Sequence, residues 1–283
     1  MMLDNGQRAE VLIQALPYIQ RYTNKIIVIK YGGSAMQSHT LKKAVMGDIV
    51  LLSLIGIKVV LVHGGGPEIS ELLSKTGKKS QFIDGLRVTD KETAEAAQMV
   101  LSGKISKDLV KLIGLMGGKA IGLSGLDGLM IKAKPVSPEL GYVGDIVSVN
   151  PEPILDVLAG GYIPVVSTIG YDNEGSSYNI NADTAASRIA GTLGAESLIS
   201  MTDTPGVLRD RDNPESLIKQ IHVSEAPQLM NEGIISGGMI PKTECCIEAI
   251  RRGVKKVFIL DGRIPHSILI ETLTDEGIGT MFI

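Results

Sequence analysis

Two lysines that are far apart in the chain each stand close to a pair of glycines. Lys30 precedes Gly32 and Gly33, and Lys242 follows Gly237 and Gly238. Glycine lets backbone N–H groups approach a ligand without a Cβ in the way, and lysine adds a compact positive charge. The combination predicts a site for an anion, above all a phosphate group.

A third glycine-rich turn lies between these two lysines. His63 and Pro67 enclose three consecutive glycines, and the turn follows the apolar run 59–62, just as Lys30 follows the run 26–29. Pro67 suits the first turn of a helix, which would direct a helix N-terminus at the same sheet edge. For the turn after Lys30 and for the turn 63–67, the alternative is a plain turn at the end of a strand. In the turn 63–67 this alternative is less favoured, because ordering three consecutive glycines carries a high cost in backbone entropy.

Two further residues have side chains suited to such a site. Asp183 follows Asn181, a good helix N-cap, and if buried it requires a partner, for which a lysine is the obvious candidate. Arg87 is either an ordinary surface arginine or a bidentate clamp for a carboxylate.

Well-known nucleotide motifs are missing from the sequence. None of its three Gly-Lys pairs is followed by Ser or Thr, which excludes a Walker P-loop, and Gly-x-Gly-x-x-Gly does not occur. The four histidines show no metal-binding or triad spacing, and His-Arg-Asp and Asp-Phe-Gly are both missing. A phosphate site here must therefore be built differently.

Composition narrows the classes of partner. The 283 residues carry a net charge of −3, only 4% aromatic residues and no tryptophan, which argues against a nucleic-acid partner. Cys245 and Cys246 are adjacent and cannot easily pair, so we expect a reducing, cytoplasmic setting. No apolar run reaches the roughly 18 residues of a membrane span, and the N-terminus shows no signal peptide.

Short β-branched runs alternate with amphipathic segments of helical length. This alternation predicts an α/β fold of βαβ units around a mostly parallel sheet. Strands are predicted at 26–31, 57–62, 119–123, 163–167, 197–201 and 255–260. Helices are predicted at 40–54, 67–77, 90–101, 104–116, 152–159, 182–193, 223–232 and 239–252. Residues 126–149 predict an antiparallel hairpin, and residues 9–22 an amphipathic helix kinked at Pro17.

Taken together, these motifs resemble the acetylglutamate kinases, which have the amino-acid kinase fold. The matching stretches occur in family order over nearly the whole chain: Lys30–Gly33, Val62–Pro67, Gly85–Thr89, Gly141–Gly144, Asn179–Asp183, Thr202–Val207 and Gly233–Lys242. The glycine turns are shared with carbamate, aspartate and uridylate kinases, whereas 85–89 and 238–242 are more specific. The resemblance implies a three-layer αβα sandwich with two lobes. We expect an N-terminal oligomerisation helix at 1–24, an acetylglutamate-binding and dimerisation lobe at 25–194, and an ATP-binding lobe at 195–283.

The implied reaction transfers the γ-phosphoryl group of ATP to the side-chain carboxylate of N-acetyl-L-glutamate. That carboxylate is already ionised at neutral pH, so catalysis depends on positioning and charge stabilisation. By resemblance, Lys30 and Lys242 flank the transferred group and Asp183 holds their ammonium groups. The remaining implied contacts are Gly65, Gly66, Arg87 and Asn179 for acetylglutamate, and Gly32, Gly33, Thr202, Asp203, Gly206, Gly238 and Met239 for ATP and its phosphates. The backbone N–H groups of Gly33 and Gly65 would bind the migrating phosphoryl oxygens. Mg²⁺ is expected on the ATP phosphates, with no separate protein metal site.

The resemblance also implies regulation. Relatives with a kinked helix before the first strand are hexamers, trimers of dimers, that L-arginine inhibits. The segment 271–280 resembles their effector segment, which gives Tyr22, Glu271 and Glu276 as candidate arginine contacts; the alternative is a tail that simply completes the lobe. A PII-type signalling protein stays open as a further partner.

Two alternatives stay open from the sequence. The first is another kinase of the same fold that acts on carbamate, UMP or aspartate. The second is a non-catalytic nucleotide or amino-acid sensor on this scaffold, although such a sensor would not need both lysines and Asp183.

Overall fold

A computed structural model describes residues 4–283. The strands are β1 Ile26–Tyr31, β2 Lys58–His63, β3 Phe82–Ile83, β4 Leu86–Arg87, β5 Ala120–Ser124, β6 Ile131–Pro135, β7 Gly144–Val149, β8 Ile163–Ser167, β9 Ile169–Tyr171, β10 Ser177–Asn179, β11 Ser197–Thr202, β12 Gln220–Ile221, β13 Lys256–Asp261 and β14 Thr280–Phe282. Residues 1–3, part of the predicted N-terminal segment 1–24, lie outside the described residues.

Helices precede, connect and follow these strands. They are α1 Asn5–Gln14, α2 Leu16–Tyr22, α3 His39–Leu54, α4 Gly66–Lys75, α5 Lys91–Gln98, α6 Ser106–Leu115, α7 Glu152–Ala159, α8 Ala182–Thr192, α9 Ala226–Asn231, α10 Met239–Arg251 and α11 Ser267–Leu273. Short 3₁₀ turns occur at Gly33–Met36, Asp127–Leu129 and Pro214–Ser216. No helix between residue 4 and the C-terminus combines the length and hydrophobicity that crossing a bilayer requires.

Eight strands form the central sheet in the order β12-β14-β13-β11-β1-β2-β8-β5. Neighbouring strands run parallel except for β13 and β14, which pair antiparallel. The parallel strands need helical crossovers, which the alternating sequence supplies. The predicted α/β class and mostly parallel sheet are confirmed.

The sheet separates two hydrophobic cores. Along β1, Ile27 and Ile29 face one core with residues of α3 to α6, whereas Val28 faces the other with residues of α7, α8 and α10. Because successive strand residues point to opposite faces, a continuous apolar run such as β1 must be covered by helices on both sides. This arrangement confirms the three-layer sandwich.

A second sheet of four strands, in the order β10-β9-β6-β7, lies outside this sandwich. Strands β6 and β7 pair antiparallel, from Ile131 opposite Val149 to Pro135 opposite Gly144, which confirms the hairpin predicted in 126–149. Val143, just before β7, forms an isolated bridge to Asn179. Through Val143 and Asn179, the second sheet forms one wall of a cavity at the edge of the central sheet.

Two boundaries differ from the predictions. The break in the N-terminal helix lies at Ala15, because Pro17 is the second residue of α2, where its missing N–H costs no helical bond. The predicted interruption at 102–103 is instead bridged by a π-helical segment, Met99–Ile105, which makes α5 and α6 nearly continuous. A π-helical turn holds one extra residue per turn, which the apolar period does not reveal.

The proposed lobes share the central sheet. Strand β11, in the predicted ATP lobe, pairs with β1 of the other lobe, with Ser200 opposite Lys30. The boundary at residues 194 and 195 falls in the turn between α8 and β11 and stays a prediction.

Candidate functional site

Lys30 and Lys242 contact the same carboxylate in the structure. Lys30 Nζ lies 2.9 Å from Asp183 Oδ1, and Lys242 Nζ lies 3.2 Å from Asp183 Oδ2. Ser200 Oγ adds a hydrogen bond of 3.1 Å to Asp183 Oδ1. Asp183 therefore has the lysine partner that the sequence required, and it has two of them.

Each of these three residues is held by a rigid element. Lys30 is the penultimate residue of the buried central strand β1. Asp183 lies in the first turn of α8, where Asn181 caps the helix by accepting from the N–H groups of Asp183 and Thr184. Lys242 is the fourth residue of α10. The two ammonium groups are thereby fixed before any ligand binds.

The electrostatics of this cluster favour full ionisation of Asp183. Burial by itself would raise the pKa of its carboxyl, but the positive charges of Lys30 and Lys242 outweigh burial and lower this pKa to about 2. The cluster thus holds two cations and one anion. The net positive charge suits it to an anionic ligand.

Other side chains closely approach two glycines of the predicted turns. A Cβ on Gly33, whose φ is +69°, would lie 2.5 Å from Asp203 Oδ1. A Cβ on Gly65 would overlap the side chains of Ile105 and Leu101. Since neither residue carries a side chain, backbone groups line the cavity there.

A cavity of about 550 Å³ lies on one side of Lys30. It is lined by all four predicted acetylglutamate contacts, Gly65, Gly66, Arg87 and Asn179, and by Gly32 and Gly33. Its volume is in the range typical of small-molecule sites. The residues predicted from separate motifs therefore surround one space.

Arg87 is buried, with 6% of its surface exposed. Its Nη2 donates to Gly66 O at 2.7 Å and to Ser70 Oγ at 2.8 Å, and its Nη1 contacts Ser80 Oγ. Burial lowers the pKa of the guanidinium. Within residues 4–283, no carboxylate forms an ion pair with Arg87. A buried cation of this kind favours a carboxylate from a ligand.

A second cavity, of about 560 Å³, lies on the other side of Lys30. Its lining includes the predicted nucleotide contacts Gly33, Thr202, Asp203, Gly206, Gly238 and Met239, together with Lys242. Gly206 has a φ of +145°, and a Cβ there would lie 2.5 Å from Thr280 Oγ1. The N-terminus of α10 also contributes to this lining, and a helix N-terminus favours bound phosphate.

The two cavities share three lining residues, Lys30, Gly33 and Asp203. Lys242 lines the second cavity and Asp183 the first. The cluster of two lysines and one aspartate therefore stands where ligands in the two cavities would meet.

The candidate effector residues lie at a different place. Tyr22, Glu271 and Glu276 line a cavity of about 260 Å³ between α2 and the C-terminal segment. Glu271 Oε2 already accepts from the N–H groups of Ile278 and Gly279. The structure thus brings all three together, in a cavity that shares no lining residue with the two cavities at Lys30.

Several lining residues were not predicted from the sequence. In the first cavity these are Val143, Thr168 and Ile180, and in the second they are Arg211 and Arg263. Arg263 lies just after the end of β13, and Lys30 lies near the end of β1, so the rule that sites form at strand ends could have identified Arg263. Ser70 and Ser80, which hold Arg87, gave no sequence signal.

The acidic side chains near the site bear on metal binding. Over residues 4–283, no group of three or more His, Cys, Asp or Glu side chains could by itself hold a metal ion. Asp203 nevertheless places a carboxylate at the junction of the two cavities. Magnesium that binds mainly to phosphates uses only one or two protein carboxylates, so these residues fit a Mg²⁺ ion carried by a nucleotide.

The chain resembles known proteins over its whole length. The family model described as "Amino acid kinase family" matches residues 25–261. A protein of Brachyspira hyodysenteriae named acetylglutamate kinase is 55% identical over 282 residues, with 99% of this chain and 98% of that protein covered. One of the same name from Clostridium beijerinckii is 54% identical, with 99% of each chain covered.

Solved structures share the fold. N-acetylglutamate synthase from Neisseria gonorrhoeae, complexed with coenzyme A and N-acetyl-glutamate, superposes with a TM-score of 0.85 at 25% identity; the match covers 97% of this chain and 63% of that one. Carbamate kinase from Giardia lamblia bound to AMP-PNP has a TM-score of 0.67 at 16% identity, covering 92% and 98%. The second likeness concerns the fold alone.

Proposed function

Because the chain belongs to the amino acid kinase family, and within it to the acetylglutamate kinases, we propose that its lysine cluster catalyses phosphoryl transfer between ligands in the two cavities. The enzyme is a kinase that phosphorylates N-acetylglutamate, a reaction of arginine biosynthesis. The phosphate goes to the side-chain carboxylate, which gives an acyl phosphate, and ATP is the donor.

One observation supports this assignment above the others. Lys30 lines both cavities, and Lys30 and Lys242 are fixed on opposite oxygens of Asp183. A phosphoryl group moving from one cavity to the other would pass these two ammonium groups. Fixed positive charges lower the barrier where negative charge develops, and they need no rearrangement during the reaction.

The acceptor needs no general base, because a carboxylate is already ionised at neutral pH. The difficulty is to bring this anion towards a polyanion. Lys30 and Lys242 offset the repulsion, and Asp183 keeps their amines in position without taking a proton, because its own pKa is about 2. Backbone N–H groups of Gly33 and Gly65 add donors for the transferred oxygens.

Arg87 would hold the α-carboxylate of acetylglutamate. Its guanidinium is buried and already oriented by Gly66, Ser70 and Ser80. Asn179, on the rim formed by the second sheet, supplies amide groups for the acetylamino part. Distinct ends of the acceptor are thus fixed, which positions its side-chain carboxylate near Lys30.

The nucleotide would occupy the second cavity, with its phosphates towards Lys242 and the N-terminus of α10. Mg²⁺, when bound with ATP, neutralises part of the phosphate charge. Asp203 is the protein residue that would face it at the junction of the two cavities.

For regulation, we propose that L-arginine binds in the cavity of Tyr22, Glu271 and Glu276. That cavity also contains Lys219 and Lys256. Carboxylates suit a guanidinium and an α-amino group, and lysines suit an α-carboxylate. The mixed charges therefore fit a cationic amino acid, and binding would inhibit the enzyme.

We also propose assembly into a hexamer through α1. No residue of α1 is buried within the chain, and Val11, Leu12 and Ile13 are between 53% and 74% exposed. An apolar helix surface of this kind is expected to pack against a second copy.

Both cysteines are free, which supports a cytoplasmic setting.

The function is tested by phosphoryl transfer from ATP to N-acetylglutamate, with carbamate, UMP and aspartate as competing acceptors. Hydroxylamine converts an acyl phosphate to a stable hydroxamate, so formation of hydroxamate only with N-acetylglutamate is the expected result. Preference for another acceptor would assign a different kinase of this fold. Ligand binding with no ADP release would instead indicate a sensor.

A further inference from the structure

His63, the last residue of β2, is fully buried immediately before the three glycines. Its Nδ1 lies 2.9 Å from the carbonyl oxygen of Gly64, the next residue in the chain. The mechanism above does not use this side chain. A buried imidazole that contacts the backbone of a ligand-binding turn calls for a physical explanation.

The state of the ring follows from its surroundings. Burial lowers the pKa of His63 to about 4, so the ring is neutral at physiological pH and carries one proton. A carbonyl oxygen can only accept, and therefore that proton must be on Nδ1. Among the described residues, Nε2 has no hydrogen-bond partner, so the bond to Gly64 is the only one the ring makes.

This bond fixes the direction of the next peptide N–H. In a trans peptide, the C=O of one residue and the N–H of the following residue point in opposite directions. Since the Gly64 carbonyl points back at His63, the Gly65 N–H points away from the buried ring. Gly64, Gly65 and Gly66 all line the acceptor cavity, which places the backbone of this turn, including the Gly65 peptide, at the wall of that cavity.

The other side of Gly64 is held as well. Its N–H donates to the carbonyl oxygen of Tyr31 at 3.3 Å. Tyr31 is the residue opposite His63 in the pairing of β1 with β2, and its hydroxyl donates to Ala35 O at 2.8 Å within the turn that follows Lys30. Both phosphate turns are therefore anchored by adjacent buried ring side chains. Without such anchors, glycine peptides would rotate easily.

We propose that His63 is a positioning residue for phosphoryl transfer, which orients the Gly65 N–H towards the transferred phosphoryl group through its bond to Gly64. This proposal rests on the proposed function. It assigns to the imidazole a role in the transition state, although His63 lines neither of the two cavities.

The test compares His63→Leu with His63→Asn. Asparagine places an N–H donor at the same distance along the side chain as Nδ1, whereas leucine fills the space without a donor. We expect His63→Leu to lower kcat at least about ten-fold. One preorganised hydrogen-bond donor raises kcat by about 10²–10³-fold, and a misdirected donor loses part of that gain. His63→Asn should recover most of that loss, and the KM for ATP should change less than two-fold in both variants.

A second measurement distinguishes positioning from stability alone. Aluminium fluoride with ADP and N-acetylglutamate mimics the transferring phosphoryl group. Its affinity should fall in His63→Leu, while the affinity for ADP alone should stay unchanged. Val60→Ala, at a buried position of the same strand, serves as the control, and it should lower the melting temperature without changing kcat.

These experiments distinguish failure of the proposed kinase function from failure of the positioning role of His63. If wild-type enzyme forms no acyl phosphate, the proposed function fails. If the wild type is active and His63→Leu keeps both its kcat and its affinity for the mimic, the positioning role is wrong. If His63→Asn fails to fold, the affinity of His63→Leu for the aluminium fluoride mimic, compared with that of the Val60→Ala control, still decides whether His63 has a positioning role.

Discussion

At the scale of single residues, the contact of two lysines with one aspartate determines what the site can do. We expect Lys30→Met or Lys242→Met to lower kcat by about 10²–10³ or more, because each removes one preorganised positive charge. Steady-state kinetics with saturating ATP and acetylglutamate measures this effect. Lys134→Met, at an exposed position of β6, is the matched control and should leave kcat unchanged. Near-normal turnover in either cluster variant would contradict the assigned role.

A second residue-scale prediction concerns Arg87. Arg87→Lys keeps the charge but loses the planar fork that Ser70, Ser80 and Gly66 orient. The KM for acetylglutamate should rise about ten-fold or more, with a smaller change in the KM for ATP. Ser80→Ala removes one orienting contact but leaves the guanidinium, so a smaller rise is expected. An unchanged KM in Arg87→Lys would remove Arg87 from the acceptor site.

Residues of this kind differ in how far they can be predicted from sequence. The glycine turns and Lys30 were recognisable because they follow apolar strands, whose carboxyl ends meet at one sheet edge. The partnership of Asp183 with a lysine followed from the cost of burying a charge. Ser70 and Ser80 were not recognisable, because nothing local marks a hydroxyl that will face a distant arginine.

At the scale of elements, a contact between two side chains, Asp48 and His266, joins α3 to the start of α11. Asp48, on α3, is 1% exposed, and its Oδ1 lies 2.6 Å from Nδ1 of His266. Burial raises the pKa of this carboxyl from 3.8 to about 6, although His266 partly opposes the shift. A carboxyl with a raised pKa in the folded state contributes stability below pH 3.8, and that contribution is lost as the pH rises through about 6.

This linkage gives a testable difference between wild type and Asp48→Asn. As the pH rises from about 4 to about 6, the wild type should lose free energy of unfolding relative to the variant, which has no carboxyl to ionise. Urea denaturation at both pH values measures the difference. Asp212→Asn, at an exposed position, should show no such divergence. Parallel pH dependence of wild type and Asp48→Asn would refute the predicted shift.

The elements also show where a sequence pattern stops being informative. All six predicted core strands occur within one residue of their predicted bounds, because strands buried on both faces read as continuous apolar runs. Strands such as β12, with two residues, are too short to show any alternation. The π-helical segment Met99–Ile105 was missed because its extra residue is accommodated by tertiary packing.

At the scale of the whole molecule, α1 is a helix that buries none of its residues against the rest of the chain. Leu12→Glu places a charge on a residue that is 74% exposed, so folding should be unaffected while association through α1 is lost. Light scattering should show a roughly three-fold fall in mass, from hexamer to dimer. The same variant should also weaken inhibition by arginine, because α1 leads directly into α2 and Tyr22.

Gln14→Glu provides the control for this change. It adds the same charge to the same helix without removing an apolar side chain. We expect the mass and the arginine response to stay as in the wild type. A hexamer that persists in Leu12→Glu would exclude α1 from the interface, and loss of the hexamer with an unchanged response would separate assembly from inhibition.

The junction of the two cavities at Lys30, Gly33 and Asp203 has a practical consequence. A bisubstrate inhibitor, with an acetylglutamate moiety tethered to adenosine through a phosphate chain, would place one moiety in each cavity and the phosphate chain beside these three residues. Because the second half would bind at a high effective concentration, its potency should exceed that of either fragment by orders of magnitude. The length of the shortest tether that retains this gain would measure the distance between the phosphoryl donor and the acceptor carboxylate.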